Sequence, residues 1–225
     1  MEIGIQANIL KYVLQNTYFI NGTAYAGKST MVRLLAERHD GICCGENYHD
    51  ALMEAVDVEH QPNLCYFQTM RDWQEFVNRT PQEYDSWISG CSREAAGLEL
   101  VRLIQLAAEG KRVFVDTNIS VETLREISDY RHVALLLAPQ SVSVDRFFER
   151  EDADKQFILE QIRRAENPEK TMENYRNCLA LINSPEKYRA FEQSGFFTLV
   201  RDEERTVEQT LGILEKHFGL GAAER

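Results

Sequence analysis

Apolar residues in this chain gather into short unbroken runs divided by stretches of helical spacing. The runs at 17–20, 42–44, 112–115, 133–137 and 196–200 read as buried strands. After the first of them, Met31, Val32, Leu34 and Leu35 recur at the spacing of one helical face, which predicts a helix over 31–38. Strands that alternate with helices predict an α/β fold on a parallel sheet. Ahead of it, Ile5, Ile9, Tyr12 and Val13 fall on one stripe, so residues 1–15 are predicted as a short helical extension to a domain spanning 16–225.

Two intervals are longer than simple crossovers. Roughly 65 residues separate the second and third strands, against the dozen or so a crossover needs. They are predicted as a helical insert over about 46–110, rich in aromatic residues (Tyr66, Phe67, Trp73, Phe76, Tyr84, Trp87) that serve better as core than as a stacking platform. Its long helix runs from Pro81 toward Gly110. Between the fourth and fifth strands, 146–183 reads as further helix with a break at Asn167-Pro168. The last helix opens on the capping-box residues Thr206 and Gln209 and stops before Gly219.

The first strand runs into Gly22-Thr23-Ala24-Tyr25-Ala26-Gly27-Lys28-Ser29, followed by Thr30. This is a full match to the phosphate-binding loop G-x-x-x-x-G-K-[ST], with a strand before it and a helix after. Glycines allow successive N–H groups to face a phosphate, the helix start adds positive potential, Lys28 bridges phosphates and Ser29 ligates magnesium. ATP or GTP with Mg2+ is therefore the expected ligand. Tyr25 replaces a common second glycine, so its ring points away from the phosphates, either toward a ligand or as a shield. Val113-Phe114-Val115-Asp116 has the form of an apolar strand ending in a magnesium-holding acid; the alternative for Asp116 or Thr117 is to cap the following helix.

Composition narrows the class. The formal charge of -11, without a basic run, argues against a nucleic-acid partner. Five cysteines with no C-x-x-C pair suggest neither a disulfide framework nor a zinc site. No apolar run approaches the ~20 residues that cross a bilayer, and no basic leader is present. A cytoplasmic chain with a small-molecule partner is expected.

Together these motifs resemble the P-loop kinase superfamily, most of all nucleoside-monophosphate kinases such as adenylate kinase, over roughly 16–218. The resemblance implies the P-loop NTPase fold with sheet order 2-3-1-4-5, an acceptor-binding insert after the second strand and a lid at about 146–170. Arg146 and Arg150 look like the lid arginines that reach the transferred phosphoryl group, with surface ion pairing as the alternative; Arg163 and Arg164 resemble further ones. Residues 201–205 fall where the family holds the donor base. The acceptor side departs from the pattern: His49 and Ser120 stand where the family has arginines, while Glu46 keeps an acid. That favours a hydroxyl acceptor oriented by Glu46, unless Arg71 or Arg93 supplies another clamp. The expected activity is ATP-dependent phosphoryl transfer to a small hydroxyl compound, by Lys28, Glu46, Asp116, Arg146 and Arg150. A nucleoside-monophosphate kinase and a slow nucleotide switch are the alternatives, the latter weakened by the lack of an Asn-Lys-x-Asp guanine reader.

Overall fold

The computed structural model describes residues 4–139, 142, 144, 147–149, 153–202 and 204–221. Five parallel strands, β1 (Thr17–Gly22), β2 (Ile42–Cys44), β3 (Val113–Asp116), β4 (Val133–Leu137) and β5 (Phe197–Val200), form one sheet flanked by helices. The order is β2-β3-β1-β4-β5, as the kinase resemblance implies. β1 lies at the centre, paired with β3 on one side and β4 on the other. A central parallel strand must be apolar on both faces, which explains the unbroken Tyr18-Phe19-Ile20 run.

Alternation divides these side chains between two cores. Phe19, Val113, Val115, Val133 and Leu135 pack with α1 (Ala7–Val13), α5 (Pro81–Ala107) and α6 (Val121–Ile127). Tyr18, Ile20, Phe114, Ala134 and Leu136 face α2 (Lys28–Arg38) and α10 (Val207–Phe218). The expected stripe on α1 is wrong in detail. Ile5, Ile9 and Tyr12 are exposed, Val13 packs half-buried against the core as expected, and burial falls instead on Leu10 and on Leu14 just after the helix. The contacts with α6 and α5 select that face, which an isolated period cannot do.

The insert contains a 3-10 segment (Tyr48–Ala55), α3 (Tyr66–Thr69), α4 (Trp73–Val77) and α5, whose start is set by Pro81 and a Thr80/Glu83 capping box. Beyond β4 come α7 (Ala153–Arg163), α8 (Pro168–Ile182) and α9 (Pro185–Glu192). The two excursions share a third core: Phe76, Val77 and Tyr84 from the first meet Ile162, Tyr175, Cys178 and Leu179 from the second. Of the insert aromatics, Phe76 and Tyr84 are buried in this core and Tyr66, Trp73 and Trp87 pack half-buried against it, as expected, whereas Phe67 is exposed.

Candidate functional site

The loop after β1 needs glycine at its first position. Gly22 has φ +128°, and a Cβ there would lie 1.9 Å from the carbonyl oxygen of Leu136. The bend is pinned on both sides. Asn21 donates to the Ile119 carbonyl at 2.7 Å, the Thr23 amide donates to the Leu136 carbonyl at 3.0 Å, and the Ala138 amide donates to the Thr23 hydroxyl at 2.6 Å. Gly27, at φ 89°, ends the loop as the residue before α2, so Lys28, Ser29 and Thr30 form that helix's first turn with no side-chain cap on its N–H groups. Such a start attracts an anion.

Lys28 and Ser29 meet Asp116 at the end of β3, because β1 and β3 are hydrogen-bonded neighbours with Ile20 opposite Asp116. The Ser29 hydroxyl donates to Asp116 at 2.7 Å. Lys28 Nζ donates to the Thr23 carbonyl at 3.2 Å and stands 3.8 Å from the Asp116 carboxylate. Asp116 does not cap α6; Ser120 does, accepting from the Thr123 amide. Burial raises the Asp116 pKa above the ordinary carboxylate value, Lys28 and Ser29 oppose that, and the charges of Glu46 and Glu99 add to it. An acid in this environment favours a cation beside it.

Oxygen donors from Ser29 and Asp116 fit a hard divalent ion such as Mg2+. Among the described residues no group of three His, Cys, Asp or Glu forms a closed metal set.

The charge on Asp116 has a testable consequence in the metal-free protein. Because its pKa is raised on folding, its favourable contribution to stability is present at pH below its unfolded value and is lost as pH rises through the folded value. Asp116→Asn is expected to stabilise the metal-free, nucleotide-free protein at neutral pH by about 1 kcal/mol, with the gain shrinking on acidification. Urea unfolding at several pH values measures it, and a loss of stability at neutral pH would contradict the electrostatic account.

Two cavities flank the loop and share no wall residue. One, of about 440 Å3, lies between Tyr25, Ala26, Gly27 and Thr30 on one side and Arg201 and Val207 on the other. Arg201 donates to the Tyr25 carbonyl at 2.7 Å, tying the end of β5 to the loop. The second, of about 830 Å3, is bounded by Gly22, Thr23, Arg93 on α5, Asn118, Ser120 and Lys187 on α9. Lys187 is ion-paired with Asp85 across this cavity. Comparison with protein-family models, curated proteins and solved structures finds no match for this chain. The site therefore has to be read from its own chemistry.

Tyr25, at φ 65°, does turn its side chain out of the loop: its hydroxyl donates to the Phe147 carbonyl at 3.2 Å, and Lys155 Nζ lies 5.2 Å from its ring centre. Glu46 is exposed and lines neither cavity, although its charge is felt at Asp116. His49, in the 3-10 segment of the insert, is buried with its Nδ1 3.7 Å from the Glu99 carboxylate of α5. Arg146 and Arg150 lie outside the described residues. Arg163 and Arg164 sit at the end of α7, where Arg164 is ion-paired with Glu160. No helix among the described residues is long and apolar enough to cross a membrane.

Sequence reasoning missed Glu99. It lies midway along α5 and is 0 % exposed. Its carboxylate accepts from the Thr117 hydroxyl at 2.6 Å, Tyr48 hydroxyl at 2.9 Å and Asn118 amide at 3.3 Å, with His49 Nδ1 3.7 Å away. Burial pushes its pKa up, but His49, Thr117, Tyr48 and the Asn118 amide overcome this and hold it below the ordinary glutamate value. The insert helix is thereby fastened to the strand end that carries Asp116. The apolar neighbours of Glu99, Leu98 and Leu100, mark a helix with a buried face, but nothing in that pattern names its partners.

Proposed function

We propose that this chain is a magnesium-dependent small-molecule kinase of the P-loop kinase superfamily, transferring the γ-phosphoryl group of ATP or GTP to a hydroxyl acceptor. The observation that carries the reading is the placement of the phosphate loop between two separate cavities, with Lys28, Ser29 and Asp116 meeting at its end. A transferase needs a donor and an acceptor on opposite sides of the group that moves. A simple switch needs only the first.

In this reading the cavity at Arg201 and Val207 takes the nucleoside, and the N–H groups of residues 22–30 hold its phosphates. Lys28 exchanges its contact with the Thr23 carbonyl for phosphate oxygens. Ser29 and Asp116 would hold Mg2+, which would supply charge neutralisation at the phosphates. The acceptor hydroxyl enters from the cavity at Arg93 and Ser120, loses its proton and gains the phosphoryl group, while the nucleoside diphosphate leaves. Glu46, whose charge is felt at Asp116 although it lines neither cavity, is the acid proposed to take this proton.

The test is a panel of nucleosides, nucleoside monophosphates and neutral polyhydroxy compounds, offered with ATP and Mg2+ and scored by nucleoside diphosphate release. Transfer to a hydroxyl group is the expected result; transfer to the phosphate of a monophosphate would make the chain a nucleoside-monophosphate kinase, and acceptor-independent slow hydrolysis would make it a switch. With the acceptor found, Glu46→Gln is expected to lower turnover at least about tenfold. Unchanged turnover would remove Glu46 from the proton transfer.

A further inference from the structure

A third cavity, of about 1050 Å3, opens on the neighbouring face of α5. It meets the cavity beside the phosphate loop at Ser86 and Arg93, which line both. Its wall carries Arg71, Arg79 and Arg93 against Asp72, Glu75 and Glu83, so its formal charge balances. The acids, however, are already engaged. Asp72 caps α4 through the amides of Gln74 and Glu75, Glu75 accepts from Arg71 at 2.9 Å and from the Tyr66 hydroxyl at 3.0 Å, and Glu83 closes the α5 capping box.

Two of the arginines are not. The Arg79 guanidinium lies 3.7 Å over the Tyr66 ring, with Trp87 and Phe76 also within reach, and its Nη1 is buried without a hydrogen-bond partner. Among the described residues Arg79 has no ion-pair partner, and Arg93 has neither an ion pair nor a hydrogen bond from its side chain. A buried charged donor left unsatisfied costs free energy that a bound anion would recover. Stacking on Tyr66 holds the guanidinium of Arg79 in the cavity wall, where a forked donor suits an anion.

We propose that this third cavity is a phosphate-binding subsite, with Arg79 and Arg93 holding a phosphate ester on the part of the acceptor remote from the hydroxyl that reacts. The anion site stands on the cavity itself; its assignment to the acceptor rests on the kinase reading above. Because Arg93 borders both cavities, one molecule can reach the phosphate loop with one end and the arginines with the other. No bond is made or broken in the subsite.

The experiment separates this from nucleotide binding by using the full chain with Lys28→Ala, in which the phosphate loop is weakened, and titrating inorganic pyrophosphate by calorimetry without Mg2+. Saturable binding is expected, weakened at least about tenfold by adding Arg93→Gln. Arg93 is exposed, so that variant should keep the thermal midpoint of its parent; Arg79→Gln is the second variant, read only against its own midpoint because it also loses the contact with Tyr66. Absence of saturable binding, or binding that Arg93→Gln leaves unchanged, would overturn the subsite. In the wild-type chain, an acceptor carrying a remote phosphate ester should show a lower KM than its unphosphorylated counterpart, and Arg93→Gln should abolish the difference. Equal KM values would overturn the assignment to the acceptor. Failure of the wild-type chain to bind ATP would instead sink the kinase reading, and the pyrophosphate titration would still decide the subsite.

Discussion

Lys28→Ala is expected to lower phosphoryl transfer at least about a hundredfold while leaving the fold intact. The lysine sits in the first turn of α2, and its contacts are with the Thr23 carbonyl and Asp116, so its removal takes no apolar surface out of the core. The loop's shape is held by other bonds, those from Asn21, Thr23 and Ala138. Loss of Lys28 therefore falls on the charge of the phosphates. Most of the effect should appear in kcat, since a charge that follows the moving phosphoryl group stabilises the transition state more than the bound nucleotide. Nucleoside diphosphate release in the presence of acceptor measures the rate, and circular dichroism checks the fold. A variant that is folded and fully active would refute the phosphate-loop assignment.

The largest effect on stability is expected at Glu99. Glu99→Ala strands the hydroxyls of Thr117 and Tyr48 and the Asn118 amide in a buried place, which should cost about 3 kcal/mol at neutral pH. Glu99→Gln keeps an acceptor but loses the charge, and should cost less. Its penalty has a pH signature. The folded pKa of Glu99 lies below the ordinary value of 4.5, so its contribution is complete above that value and is lost as pH falls through the folded one. Urea unfolding should thus show wild type and Glu99→Gln converging in acid. A penalty independent of pH would mean that shape, not charge, is what the site requires. Because Thr117 follows Asp116 directly, Glu99→Gln should also raise the magnesium concentration needed for half-maximal turnover, a readout that loss of global stability alone would not move.

The elements around the sheet were legible because each is encoded locally. A strand buried on both faces must be an apolar run, and a loop that bends at φ +128° against a neighbouring carbonyl must begin with glycine. Thus β1, the loop and α2 could be placed from about twenty consecutive residues. Asp116 was identifiable for the same reason, as the acid that ends an apolar run. The face of α1 was misread because Ile5 and Ile9 fit a stripe as well as Leu10 and Leu14 do, and only α6 and α5 decide between them. Glu99 went unnoticed for a related reason: a glutamate in a long helix is ordinarily solvated, and its donors come from residues far from it in the chain.

By itself the sequence determined the α/β layering, the five strands, the glycine-bounded loop after β1 and the acid beside it, since hydrophobic period and backbone sterics act over a few residues. Only the tertiary structure decided what surrounds that loop. Packing of residues 76–84 against 162–179 joins the two long excursions into one core, and the crossing of α5 over the end of β3 buries Glu99. The same crossing brings Arg93 to the junction of two cavities. These contacts depend on helix directions and on the meeting of segments tens of residues apart, which a linear pattern of apolar and polar positions does not record.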